Sequence, residues 1–205
     1  MKTPWRSPAG ENEKGLTLVE LMVAVAIIGI LAAIAVPSYL ASLPRKRLRD
    51  AARDLLGMMQ LARLNAVSDN RQWAVEFDLV NNRYCLVDSG ANDSIDSAAC
   101  VVAGDDLVSP PTMLAGYGGG QVQFGFGNAA FSWNGGGLNQ AASVTFTSRG
   151  IWLNNGVETD SVYITTNLGA GNDIYCYALS TSPGGGIKLR FYNGMTPFNQ
   201  NNWME

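Results

Sequence analysis

The chain has 205 residues, 47% of them hydrophobic and 15% charged, with a net charge of −3 and no histidine. The missing imidazole excludes Ser-His-Asp and Cys-His catalysis and every histidine-ligated metal site. Charge is also segregated: residues 42–71 carry seven Lys/Arg against three acids, and residues 72–205 carry four against eleven, so the large C-terminal part is a poor general binder of nucleic acid.

Residues 1–15 are polar, contain Pro4, Pro8 and Gly10, and show no periodicity. They read as a cytoplasmic leader, with Lys2, Arg6 and Lys14 opposing Glu11 and Glu13; a slight positive excess keeps such an end inside. From Leu21 to Val36 no residue is polar, and extending back to Leu16 adds only Thr17 and Glu20. A helix over Leu16–Val36 spans roughly 31 Å, about one hydrocarbon core. Glu20 is the unusual member, because an unpaired carboxylate at a bilayer centre costs about 2.5–3.5 kcal/mol. Two plainer readings compete for the run. A secretory signal peptide is one, with Ala33-Ile-Ala35 as its cleavage site. A plain single-pass anchor is the other. Neither accounts for Gly15 and Glu20 together.

The series Lys14, Gly15, Leu16-Thr-Leu-Val-Glu20, then the apolar run with Gly29, Pro37 and Tyr39, resembles the prepilin family of type IV pilins and type II secretion pseudopilins. The resemblance implies that a prepilin peptidase cuts after Gly15 and that Leu16 becomes an N-methylated N-terminus. It also implies that Glu20, fifth in the mature chain, meets the terminal amine of a neighbouring subunit. Leu16 departs from the family pattern, where Phe is usual. The partners implied are the peptidase, other pilin or pseudopilin subunits, and inner-membrane lipid before assembly. The implied location is the bacterial inner membrane, with the globular domain in the periplasm and later in a periplasmic or surface filament.

Pro37 closes the apolar run and predicts a local kink or interruption. Leu48, Ala52, Leu55, Met59, Ala62 and Ala66 then recur at steps of four and three, one face of a helix that ends near Ser68 to Asn70. Arg45, Lys46, Arg49, Arg53 and Arg63 lie mainly off that stripe. For Arg45-Lys-Arg47, a solvated face or a headgroup contact outweighs a nucleic-acid patch. From Gln72 the period becomes two. Trp73, Val75, Phe77 and Leu79 alternate with polar residues, and Asn81-Asn82 leads into Arg83–Asp88, which predicts a β-hairpin. Residues 89–112 read as a loop. In the glycine-rich stretch 116–137, Val122, Phe124 and Phe126 share one strand face, and Phe131 and Trp133 another. Gly125-Phe-Gly127-Asn-Ala-Ala130 imitates a dinucleotide fingerprint, but no helical pattern follows it. Further strands are expected at 143–148, 151–153, 162–166, 174–180 and 187–192. Residues 193–205 form a tail that Met195, Phe198 and Trp203 tack down.

The expected fold is α+β and pilin-like: a long N-terminal helix, half membrane-spanning and half amphipathic, packed on antiparallel sheet. The expected segments are a leader over 1–15, a transmembrane and assembly helix over 16–37, an amphipathic helix over 38–70, a β-rich domain over 71–192 and a tail over 193–205. Three cysteines, Cys85, Cys100 and Cys176, allow three single pairs. Cys85–Cys100 is favoured as the closest in sequence, with three free buried thiols as the alternative.

Arg63–Arg71 followed by a strand, Val144–Gly150, and Gly186–Arg190 are similar to the GspH/FimT group of minor pseudopilins. That narrows the function to a structural subunit of a type II secretion pseudopilus or type IV pilus. The alternative is a DNA-capturing minor pilin that uses Lys188 and Arg190. A pair of cations offers only two phosphate contacts, so nucleic acid is an unfavoured partner. A membrane-anchored enzyme is the third class; no catalytic, cofactor or metal residues are identified for it, and no cofactor is expected.

Overall fold

The computed structural model describes residues 15–132, 136–153, 159–166, 175–182, 184–192 and 203–204. The chain divides into two compact units, Met1–Ser42 and Leu43–Glu205. Helix α1, Leu18–Asp69, contributes to both. The helix is not interrupted at Pro37, nor at Pro44. Each proline removes one backbone donor, but helix-forming Ala and Leu residues surround Pro37, and α1 continues through it. In the first unit every residue from Gly15 to Ala41 is exposed.

In the second unit the predicted helical stripe is buried. Leu48, Ala52, Leu55, Met59, Ala62 and Ala66 are all inaccessible, and Ala51 joins them. Four alanines in that stripe leave little side-chain bulk, so the helix backbone can approach the sheets closely. The helix ends in a Schellman motif. Asn70 takes φ 55°, and the Arg71 N–H reaches the Ala66 carbonyl at 3.3 Å, satisfying a carbonyl that the helix leaves open. Arg71 then pairs with Asp88 at 3.0 Å.

Two antiparallel sheets follow. The first has the order β3-β2-β1-β6, with β1 Trp73–Asp78, β2 Arg83–Asp88, β3 Leu107–Val108 and β6 Ser143–Phe146; β4, Thr112–Met113, also pairs with β2. The second has the order β10-β9-β8-β7-β5, with β5 Val122–Phe124, β7 Thr159–Thr166, β8 Cys176–Thr181, β9 Ile187–Tyr192 and β10 Trp203–Met204. The hairpin pairs Trp73 with Asp88 and Asp78 with Arg83.

One core joins the α1 stripe to both sheets, through Val75, Phe77, Tyr84, Val144 and Phe146 on one side and Val162, Ile164, Tyr177 and Leu179 on the other. Each sheet is also covered on its back. Ala74, Cys85 and Val87 lie under Ile95, Cys100 and Val108, while Tyr163, Cys176, Ala178 and Tyr192 lie under Phe126, Leu138 and Trp203. The helix is tied down further by charged side chains. Arg45 lies over the rings of Tyr175 and Phe191 at 5.0 and 4.9 Å, Tyr117 donates to Asp54, and Arg63 donates to the Gly150 carbonyl at 3.0 Å.

The α+β architecture holds, and four local expectations are corrected. Leu79 lies in a turn, because the Asp78 carboxylate accepts the Asn81 N–H at 3.0 Å and ends the strand. The segment 89–112 includes β3 and the first residue of β4, both paired with β2. Of 151–153, only Trp152 forms a bridge, to Phe146. Phe126 lies beyond β5 and packs against Tyr163, ring centroids 5.0 Å apart. Trp133, Ile174, Met195 and Phe198 lie outside the described residues, whereas Trp203 packs on Tyr163 and Tyr192.

Candidate functional site

The start of α1 holds the residues that the sequence singles out. Gly15 and Leu16 are exposed and precede the helix. A Cβ added at Gly15 would meet nothing within 4 Å, so the chain's own packing does not require glycine there. Thr17 is the N-cap. Its Oγ1 accepts the Glu20 N–H and its carbonyl accepts the Leu21 N–H, both at 3.2 Å. Thr17-Leu-Val-Glu20 therefore has the S/T-x-x-E form of a capping box, with Glu20 at the third helical position. The reading of Glu20 as an isolated membrane acid missed this, although the four-residue pattern is visible in the sequence. A carboxylate in the first turn also sits favourably against the positive end of the helix dipole. Its side chain is exposed, so the cap leaves the charge available to an external cation.

The remaining site residues fall elsewhere. Cys85 and Cys100 form a disulfide with Cα atoms 5.8 Å apart, and Cys176 is a buried thiol. Beside the disulfide, Glu76 is 1% exposed and its Oε2 accepts the Cys100 N–H at 2.9 Å. Burial pushes this carboxyl up, the Cys100 N–H pulls it down, and the charge of Asp106 pushes it up again. Strict alternation along β1 places Glu76 toward solvent. It is buried because the disulfide-tethered segment covers that face, a long-range effect with no local sequence signal.

Lys188 and Arg190 share one face of β9, but only Lys188 is exposed. Arg190 is 4% exposed and donates to the Ser180 hydroxyl. The pair therefore does not present two cations to a phosphate backbone. On the outer face of α1, an open groove of about 570 Å³ is lined by Gln60, Arg63, Leu64, Val67 and Ser68. It is mainly apolar, and its one cation is held by the Gly150 and Gly184 carbonyls.

Residues 11–36 match the prokaryotic N-terminal methylation motif, and residues 51–185 match the model of type II transport protein GspH. The chain belongs to the GspH family. Among curated proteins, this GspH-family chain is 30% identical to fimbrial protein Q of Moraxella bovis over 115 residues, which cover 56% of this chain and 65% of that protein. It is 42% identical to fimbrial protein EcpC of Eikenella corrodens over 64 residues, 31% of this chain and 41% of that protein. The chain thus spans less than two thirds of the length of these relatives. Among solved structures, the type IV minor pilin FimU of Pseudomonas aeruginosa aligns at 20% identity with a TM-score of 0.44, covering 71% of this chain and 89% of that one. The minor pseudopilin EpsH of Vibrio cholerae aligns at 13% identity with a TM-score of 0.42, covering 70% and 95%.

Proposed function

We propose that this GspH-family chain is a minor pilin or pseudopilin, a structural subunit that assembles through its N-terminal helix into a type II secretion pseudopilus or type IV pilus. The observation that carries the reading is the start of α1: an exposed Gly15-Leu16 junction, an exposed Glu20 on a Thr17 cap, and apolar exposure on every side through Ala41. Prepilin peptidase cuts after Gly15, and Leu16 becomes the methylated N-terminus. The helix from residue 16 to about 37 lies in inner-membrane lipid with the globular domain in the periplasm. Assembly then moves the helix among those of neighbouring subunits.

The chemistry of that move follows from Glu20. Lipid-boundary water hydrates its carboxylate before assembly, and a helix bundle removes that water. A desolvated carboxylate needs a cation or a proton. Every processed subunit brings one cation near this level, the amine at Leu16. Pairing it with a neighbour's Glu20 offsets desolvation and sets the axial register between subunits, which is the best-attested use of a buried ion pair.

The test is Glu20→Ala expressed beside the native partner subunits. N-terminal mass spectrometry is expected to find both native and variant chains starting at Leu16, and shed filaments are expected to contain only the native chain. Normal incorporation of Glu20→Ala would remove the proposed pairing. A native chain starting at Val36 would instead revive the signal-peptide reading.

A further inference from the structure

The segment between β2 and β3 gathers three acids. One oxygen from each of Asp96, Asp105 and Asp106 lies within 4.8 Å of the others. Calcium–oxygen bonds are about 2.3–2.6 Å long, so two oxygens on opposite sides of one ion stand about this far apart.

The carboxylates are held by the loop through one oxygen each. Asp106 Oδ2 accepts the N–H groups of Asp96 and Ser97 at 2.8 and 2.6 Å. Asp105 Oδ2 accepts those of Ala91 and Asn92 at 2.6 and 3.1 Å, and Asp96 Oδ2 accepts the Asn92 side-chain amide at 2.9 Å. Asp106 is decisive: the residue is 3% exposed, and its buried Oδ1 has no hydrogen-bond partner. A buried acceptor of a charged group left without a partner is costly. The ion pairs Arg71–Asp88 and Arg83–Asp78 do not involve this group.

Two glycines in left-handed conformations pack against these acids. Gly104 has φ +62°, and a Cβ there would stand 2.5 Å from Asp96 Oδ2; Gly90 has φ +66°, and its Cβ would stand 2.7 Å from Asp105 Oδ2. A side chain at Gly104 would displace the Asp96 carboxylate, and one at Gly90 would clash first with the Asp105 main-chain carbonyl, 2.3 Å from its Cβ.

We propose that Asp96, Asp105 and Asp106 form a calcium site in the disulfide-tethered segment. The donors are hard oxygens, which select calcium or magnesium over zinc or copper. Asp96 and Asp105 are exposed, so water can complete the shell. Calcium accepts six to eight ligands in irregular geometry, whereas magnesium demands a near-ideal octahedron; an arrangement with one buried and two exposed carboxylates favours calcium. The ion supplies the missing partner of Asp106 Oδ1 and relieves repulsion among the three charges.

The test uses the full chain in detergent micelles, first stripped with a chelator and then titrated with calcium chloride. Calorimetry is expected to show one ion per chain with half-saturation at about 10⁻⁴–10⁻³ M, the range of extracellular calcium modules. The thermal midpoint is expected to rise with calcium, because the ion binds the folded chain alone. Asp96→Asn combined with Asp105→Asn changes two exposed side chains. It is expected to abolish both the heat and the calcium-dependent shift, with a midpoint in chelator no lower than that of the native chain. Absence of heat and of any shift at about ten times the upper concentration would overturn the site, as would binding that survives the double variant. Equal affinity for magnesium chloride would overturn the choice of calcium.

Discussion

Asp78 shows how a single side chain ends a strand and makes the domain sensitive to acid. Hydrogen bonds from the Asn81 side-chain amide and N–H, reinforced by the Arg83 guanidinium, hold its carboxyl down at about 2, from an ordinary 3.8. A folded-state value below the unfolded one means that the stabilisation is complete above the unfolded value and is lost as pH falls through the folded one. The thermal midpoint of the native chain is therefore expected to drop between pH 3.8 and about 2, and to drop less in Asp78→Asn. Circular dichroism melts across that window provide the comparison; parallel curves for the two proteins would show that Asp78 does not carry the effect. At this scale the sequence was legible where the signal is local. Asn81-Asn82 marks the turn, and Asn82 takes φ 49°. Thr17-x-x-Glu20 is equally local, but the apolar run dominates that stretch and hides its capping pattern. Glu76 was not legible, since its burial depends on Cys100, 24 residues away.

The elements differ in how they are specified. The second half of α1 could be read residue by residue, because a 3.6-residue period over many turns has few alternative explanations. The strands of the two sheets were found with ends shifted by a few residues, since neighbours and side-chain caps decide where a ladder stops. β3 and β4, two residues each, have no period to read; pairing with β2 makes them strands. The disulfide closes 15 residues over the back of the first sheet, a loop whose cross-link is worth about 3 kcal/mol in the chain-entropy account. Within α1, Gly57 is exposed and an added Cβ would meet nothing within 4 Å. Glycine costs a helix interior roughly 0.8–1.0 kcal/mol relative to alanine, so Gly57→Ala is expected to stabilise the chain by about that amount in urea unfolding. Unchanged or lowered stability would mean that the outer face of α1 is not free. A gain in stability accompanied by loss from filaments would instead place a neighbouring subunit against Gly57, Leu61 and Leu64, which follow one another on that face.

The whole molecule joins two units with opposite solvent requirements. The apolar stripe of residues 43–69 is buried within Leu43–Glu205 itself. A fragment beginning at Leu43 is therefore expected to be soluble and folded without detergent, with both helical and sheet signals in circular dichroism. Aggregation with helix but no sheet would contradict the packing. The first unit has no such cover, and the difference was apparent from the sequence because a run without polar residues admits no inner and outer side. Charge segregation was apparent as well; the structure adds that much of the basic excess is engaged, with Arg45 on aromatic rings, Arg47 on Gln121, Arg63 on carbonyls and Arg71 on Asp88.

The uncovered stretch from Gly15 to Ala41 has a consequence for how an assembled filament could come apart. A helix that passes from lipid tails to the helices of its neighbours exchanges one oily medium for another, so the transfer releases almost none of the free energy that burial from water provides. What remains is close packing, with Gly29 permitting near approach, and the charge at Glu20. On the proposed assembly, such a subunit would be held by fit and by the Glu20 contact. Its insertion and its withdrawal would then be nearly balanced in free energy.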